Sequence, residues 1–384
     1  MKLKVLVIGP YPPPYSGPEN SMKALLDSSF SERFDVTFLK TNVRTSNDAR
    51  GRMDSTLVLA FFKFIYRLLL AIFINRPKAA YYYVTATRTG WLGRDVWCIL
   101  ICRALGVPVV AHMRAGHFKR NYNRMSAFER AIIRFACRRV SCGLVQAETL
   151  KEQFRGLMKE ERIHVVYNSI DTKTYMNEDV TDYSRDTVFF LGHLSHAKGY
   201  CDLLAAMPVM TKRHPQVRFL FAGDKIKIER NVFFNEVTGE RIVFDDPDEC
   251  YEKYIRPDLE ENHVYLGLID EEEKMRVFKE CNFLVLPSYS EGFSMSVLEA
   301  LSMGKPVICT PVGALKEIVR DGENGYLVDP GDVNSLVDRM DKLISDEETR
   351  NRMAAHNYEY AREKFDIESI VKQIGDHIEA AAIR

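Results

Sequence analysis

The sequence predicts an α/β protein made of two consecutive doubly wound domains, each a parallel sheet with helices on both faces. Three observations carry this. Short apolar, β-branched and aromatic runs alternate with longer segments of helical period along the whole chain. The runs are apolar throughout, as strands buried on both faces must be. A polar stretch near the middle, YMNEDVTDYSRDT (175–187), separates two such series, and 384 residues exceed what one ordinary core holds.

In the first series KVLVIGP (4–10), DVTFLK (35–40), AAYYYVT (79–85), PVVAHM (108–113), CGLVQAE (142–148) and IHVVYNS (163–169) read as strands. The second series is TVFFLG (187–192), VRFLFAGD (217–224), HVYLGL (263–268), FLVLPS (283–288), PVICT (306–310) and GYLVD (325–329). Domains are expected at 1–175 and 176–365, with a closing helix at about 366–384 able to pack back on the first. From Gly223 to Gly267 the spacing is too long for a simple crossover. An inserted hairpin at about 226–262 is expected there, turning at Thr238-Gly239. Asp246-Pro247-Asp248 imitates a metal-binding DxD but reads as a solvated turn, so no metal is expected.

Lysines plus arginines and acids both number 53, which excludes a generally basic nucleic-acid binder and an acidic disordered chain. The balance hides a separation, because residues 1–175 carry 28 cations against 13 acids. An anionic partner for the first half, such as a phospholipid surface, is one reading; attraction between domains is the other. The stretch LVLAFFKFIYRLLLAIFI (57–74) is interrupted by Lys63 and Arg67, which argues against a membrane span. An amphipathic helix at a membrane interface and a sheet-covering helix fit it equally. The eight cysteines form no CxxC pair and sit mostly in apolar runs, so small core residues in a reducing compartment are expected, with no disulfide framework and no zinc site. The first apolar run is too short for a signal peptide, and a cytoplasmic protein is expected, peripheral on the membrane at most.

Four segments carry chemistry. In PSYSEGFSMSVLEALSMGKPVI (287–308) a strand ends, Glu291-Gly292 follow, and a helix begins near Phe293 or Ser294. A helix start of this kind favours a diphosphate through its backbone N–H groups and dipole. Glu299 falls two turns on, about 12 Å from Glu291 at 1.5 Å per residue, too far to share a proton and well placed to hold hydroxyls of an extended ligand. FFLGHLSHAKGYCDLL (189–204) brings Lys198 to a strand mouth, where it can meet phosphate. GPYPPPYSGPENSMKALL (9–26) offers another helix start at Gly17-Pro18 and lacks GxGxxG, which argues against a dehydrogenase. PVVAHMRAGHFKRNYNR (108–124) clusters His112, Arg114, His117, Lys119 and Arg120 past a strand end, a candidate anion or acceptor site.

Taken together these segments resemble the family-4 retaining glycosyltransferases (glycosyl transferases group 1) of GT-B architecture, two Rossmann-like domains facing a central cleft. EGFSMSVLEA (291–300) matches the family's paired-glutamate element, GHLSHAKG (192–199) its glycine–lysine loop, and PVGALKEIVRDGENGYLVDPGD (311–332) the stretch after it. The resemblance implies that Glu299 holds the donor ribose, Glu291 the transferred sugar, and Gly292, Phe293, Ser294 and Met295 the diphosphate and sugar. Lys198 would neutralise the leaving diphosphate, Leu268 and Ile269 would lie near the base, and Gly17 and Asp224 would border the donor. His193 stands where the family has arginine, and either Arg114 or His112 takes the first-domain catalytic position. The activity implied is metal-independent transfer from a UDP- or GDP-sugar to a lipid-linked or glycan acceptor in cell-surface polysaccharide assembly (lipopolysaccharide or capsule), with no cofactor and no nucleic acid. A nucleotide-sugar epimerase or hydrolase of the same fold, or a non-catalytic nucleotide-sugar-binding subunit, remain alternatives.

Overall fold

The computed structural model describes residues 2–13, 17–41, 55–175, 186–226, 235, 237–242, 245–255 and 257–383. The chain divides into two compact units, one of Met1–Ser169 with Ile367–Arg384 and one of Ile170–Asp366. Both are parallel α/β sheets, and all twelve expected strands are present.

In the first unit the elements run β1 (Leu3–Gly9), α1 (Gly17–Asp27), α2 (Phe30–Arg33), β2 (Phe34–Lys40), α3 (Ser55–Asn75), β3 (Ala79–Val84), α4 (Arg88–Gly90), α5 (Val96–Ala104), β4 (Val109–Met113), α6 (Phe118–Asn123), α7 (Ala127–Cys137), β5 (Cys142–Val145) and β6 (Ile163–Val165). The sheet order is β2-β1-β3-β4-β5-β6, with Val5 between Val36 and Ala79. Val5, Leu6, Val7 and Ile8 are wholly buried, which is why the strand reads as a continuous apolar run. The chain reverses direction of growth between β1 and β3, so ligands of this unit are expected outside Gly9 and Val84.

The second unit contains β7 (Thr187–Leu191), α8 (Tyr200–Arg213), β8 (Arg218–Ala222), α9 (Pro247–Tyr254), β9 (His263–Gly267), α10 (Glu271–Glu280), β10 (Phe283–Leu286), α11 (Met295–Ser302), β11 (Val307–Cys309), α12 (Leu315–Ile318), β12 (Gly325–Leu327), α13 (Val333–Ser345) and α14 (Glu347–Phe365). Its order is β12-β11-β10-β7-β8-β9, placing the switch point between β7 and β10. The last helix, α15 (Ile367–Ile383), belongs to the first unit. Its Ile370, Val371, Ile374 and Ile378 join Val5, Val7 and Tyr81 in one buried cluster. Arg33 clamps it, donating to Glu379 at 2.9 Å and Asp376 at 2.7 Å.

Two expectations are corrected. Cys201 on α8 and Cys250 on α9 form a disulfide, so the cysteines are not all reduced core residues; the other six are free and buried. The insertion is not simply a hairpin. Asn235 Oδ1 accepts from the N–H groups of Val237 and Thr238 and organises a turn, but α9 follows, with Asp246 as its N-cap accepting from Asp248 N and Pro247 in its first turn. Residues 227–234, 236, 243–244 and 256 of the expected insertion, and the polar linker at 176–185, lie outside the described residues. Among the described residues no helix is long and apolar enough to cross a membrane.

Candidate active site

Lys198 and Glu291 meet at the switch point of the second unit. Lys198 comes from the loop after β7, Glu291 from the loop after β10, and Lys198 Nζ donates to Glu291 Oε1 at 2.6 Å. Two features force the loops together. Gly199 has φ +75°, and a Cβ there would sit 2.2 Å from the Pro287 carbonyl oxygen, so only glycine fits. Tyr289 N–H also donates to Ala197 O at 2.9 Å. Glu291 is nearly buried, and its Oε1 takes a second hydrogen bond from Ser288 Oγ at 2.8 Å. Behind it Gly313, φ +53°, approaches so closely that a Cβ would lie 2.2 Å from Glu291 O. The result is a fixed ammonium and a fixed carboxylate side by side, with the lysine partly open to solvent.

Glu299 has its own cation. It lies on α11, which Ser294 caps by accepting from Val297 N, so the helix begins at Met295 rather than at Phe293. Lys274 on α10 donates to Glu299 Oε1 at 2.8 Å and pairs with Glu271 at 2.9 Å; Tyr175 OH bonds both glutamates, at 3.4 Å to Glu299. Burial pushes the Glu299 carboxyl up while Lys274 opposes the shift. Burial likewise pulls Lys274 down, but the charges and hydrogen bonds of Glu299 and Glu271 together outweigh it and hold the ammonium above its usual range. Tyr175 is held as a phenol first by burial and then by the Glu299 charge. Lys274 and Tyr175 were missed in the sequence. The one trace is Asp270-Glu-Glu-Glu-Lys, an N-capped helix start in which Asp270 accepts from Glu273 N.

The remaining donor-side candidates of this unit lie in the loops after β7, β8, β9 and β10 and at the start of α11. His193 is exposed at the tip of the loop after β7, its pKa lowered by partial burial and then by the charge of Lys198. Asp224 is exposed, and its backbone oxygen accepts from Leu194 N at 2.9 Å. Leu268 is strongly exposed and Ile269 half-buried in the loop after β9. Gly292, Phe293 and Met295 are half-buried and Ser294 is buried, with Gly292 O accepting from Ala314 N at 3.0 Å.

In the first unit Arg114, just past β4, donates to Tyr83 OH at 2.8 Å and to Asn168 Oδ1, and its guanidinium lies 4.9 Å from the Tyr83 ring centroid. His112 is wholly buried inside β4, its Nδ1 2.6 Å from Tyr81 OH. Burial, then Arg114 and His377, hold it neutral, far below the usual imidazole range. It packs in the core instead of reaching a surface. Gly17 opens α1 with nothing near its missing Cβ, so no close approach requires glycine there. Metal-ligand groupings among the described residues are Cys142–His164–His377 and His196–Cys201–Asp245; neither includes a residue named for the donor, and Cys201 is spent in the disulfide.

Residues 171–360 match the family described as Glycosyl transferases group 1. D-inositol 3-phosphate glycosyltransferase of Corynebacterium efficiens is 29% identical over 307 residues, covering 73% of this chain and 66% of the relative. N-acetyl-alpha-D-glucosaminyl L-malate synthase of Bacillus anthracis is 26% identical over 250 residues, 63% of this chain and 60% of the relative. The chain thus spans somewhat under two thirds of these relatives. Among solved structures, Anabaena HepE in complex with UDP and glucose superposes with a TM-score of 0.69 at 20% identity, covering 98% of this chain and 99% of that one. Sucrose-phosphate synthase of Thermosynechococcus elongatus gives 0.73 at 17% identity, covering 98% of each. The chain therefore has the GT-B fold, and its residues 171–360 are similar to the glycosyl transferases group 1 family.

Proposed function

We propose that the protein is a metal-independent, retaining glycosyltransferase that moves a sugar from a UDP- or GDP-sugar to a lipid-linked or glycan acceptor in cell-surface polysaccharide assembly. The observation that carries this reading is the Lys198–Glu291 pair at the switch point of the second unit. Support comes from the group 1 match over residues 171–360, from relatives named D-inositol 3-phosphate glycosyltransferase, and from HepE structures in complex with UDP and UDP-glucose.

The reaction must expel a nucleoside diphosphate from an anomeric carbon that gains oxocarbenium character. Lys198 supplies a positioned cation for the departing phosphates, helped by the positive end of α11 beside Gly292, Phe293, Ser294 and Met295. Glu291 accepts from sugar hydroxyls, and Ser288 fixes its direction. Glu299 accepts from the ribose hydroxyls, and Lys274, hydrogen-bonded to its Oε1, opposes the upward pKa shift that burial causes. His193 and Asp224 border the diphosphate, and Leu268 and Ile269 the base. The bond from the anomeric carbon to the phosphate oxygen breaks as the acceptor oxygen bonds from the same face. The acceptor proton passes to the departing phosphate. On the acceptor side Arg114 is a fixed cation and His112 positions Tyr81, with Gly17 opening the helix of the first loop. The enzyme works in the cytoplasm.

The test measures nucleoside diphosphate released from UDP- and GDP-sugars with and without a polyprenyl-linked saccharide. The reading predicts release that depends on acceptor. Isomerised donor without acceptor would mark an epimerase, acceptor-independent release a hydrolase, and binding without turnover a carrier subunit.

A further inference from the structure

The outer face of α3 is apolar where a surface helix is ordinarily polar. Phe64, Leu68 and Ile72 point into the first unit and are buried. On the other side Leu59, Phe62, Tyr66, Leu70, Phe73 and Ile74 form one continuous stripe, with Phe62 63%, Phe73 63% and Ile74 70% exposed. Trp97 of α5 extends it, its ring edge-on to Phe61 and half exposed. Lys63 and Arg67 are exposed beside the stripe. At the C-terminal end of α3 the stripe runs into a cavity of about 650 Å³ lined by Arg76, Lys78 and Arg103 together with Phe73 and Leu105. Arg76 takes φ +50° to end the helix, its N–H donating to Ile72 O at 2.9 Å, at a position most helices give to glycine.

Charge says what covers this face. Residues 55–78 and 96–110 together carry Lys63, Arg67, Arg76, Lys78 and Arg103 and not one carboxylate. A second copy docking through the same patch would set cations against cations with nothing to pair them, since a two-fold interface meets itself. An anionic bilayer answers both halves of the pattern. Leu, Phe and Ile enter the acyl boundary, Tyr66 and Trp97 sit at headgroup depth, and the long cationic side chains reach phosphate. We propose that α3 lies flat on an anionic phospholipid surface and that Arg76, Lys78 and Arg103 hold a lipid phosphate in the cavity at its end. This goes beyond the glycosyl-transfer reading and stands without it.

The full chain is tested by flotation with vesicles of phosphatidylglycerol and phosphatidylcholine in about equal parts, against phosphatidylcholine alone. Co-flotation with the anionic vesicles is expected, with loss at about 1 M salt, where charges are screened within roughly 3 Å. Arg76→Gln/Lys78→Gln/Arg103→Gln should weaken the association roughly 100-fold. Phe62→Ser/Phe73→Ser should abolish it, and since both rings are exposed the variant should melt as the parent does. Binding of UDP- or GDP-sugar, followed by thermal shift, should be unchanged in either variant, so failure here is distinguishable from failure of the enzymatic reading. Equal binding to neutral vesicles, no binding to anionic ones, variants that float like the parent, or a dimer that dissociates on Phe62→Ser/Phe73→Ser would each overturn the proposal.

Discussion

Lys198 sits where an ammonium is unusually well defined for a loop residue. Its partner Glu291 is nearly buried and held in turn by Ser288, so the charge is aimed before any ligand arrives. A preorganised donor of this kind acts on the transition state more than on the bound ground state. Lys198→Ala should therefore lower kcat by roughly 100- to 1,000-fold, about 3–4 kcal/mol of barrier, with donor affinity changed far less. Steady-state kinetics at saturating donor checks this; near-normal kcat would remove Lys198 from the leaving-group role. Lys198 and Glu291 stood out in the sequence because a strand end, a glycine and a helix start surround each of them, and the structure brings these two side chains together. Lys274 and Tyr175 did not stand out, because nothing local marks a side chain whose partner is 25 or 124 positions away. His112 shows the opposite limit. Cations crowd the end of its strand in the sequence, but β4 is buried on both faces, so this imidazole lies in the core against Tyr81.

At the scale of elements, the loops after β7 and β10 are held by close backbone approach, which makes a sharp contrast between glycines. Gly199→Ala must relieve a 2.2 Å contact with Pro287 O and take a left-handed backbone, costing about 1–3 kcal/mol and pulling Lys198 from Glu291. Gly17→Ala meets open space and should stay within about 0.5 kcal/mol of the parent. Melting temperature and kcat should both fall in the first and hold in the second. The α8–α9 bridge makes its own prediction. Alkylation of the denatured, unreduced chain should add six groups, and eight after reduction, read by intact mass. Eight before reduction would mean that Cys201 and Cys250 are thiols. The pairing was hidden in the sequence because 49 residues separate the two cysteines and no spacing motif joins them. The strands were plain, since burial on both faces writes itself as uninterrupted Val, Ile, Leu and Phe. The helix α9 was readable in hindsight: Asp246-Pro247 is a helix-start signature as well as a turn.

For the whole molecule, buried imidazoles set the acid limit of stability. His112 in the first unit is held far below its ordinary value by burial, and His263 in the second is pushed down to about 4, again by burial. Unfolded imidazoles take up protons from about pH 6.5, while these folded ones stay neutral. Their contribution is therefore complete above about pH 6.5 and is lost as pH falls, at up to about 1.4 kcal/mol per pH unit for each, His263 ceasing to add to the loss near pH 4. Melting temperatures should be flat from about pH 7 to 8 and drop steadily towards pH 5; a rise on acidification would contradict this. Organisation at this scale was half legible. Two series of six strands stand out in the text, and a closing helix able to pack back on the first domain was expected; the sequence did not show which side chains hold it there, which are Ile370, Ile374 and Ile378 in the first unit's core. The most direct test of the central claim is a crystal structure of the chain with a bound UDP- or GDP-sugar. The account predicts the diphosphate within hydrogen-bonding distance of Lys198 Nζ and beside residues 292–295, with the ribose hydroxyls on Glu299. A diphosphate bound elsewhere, with Lys198 still closed on Glu291, would contradict it.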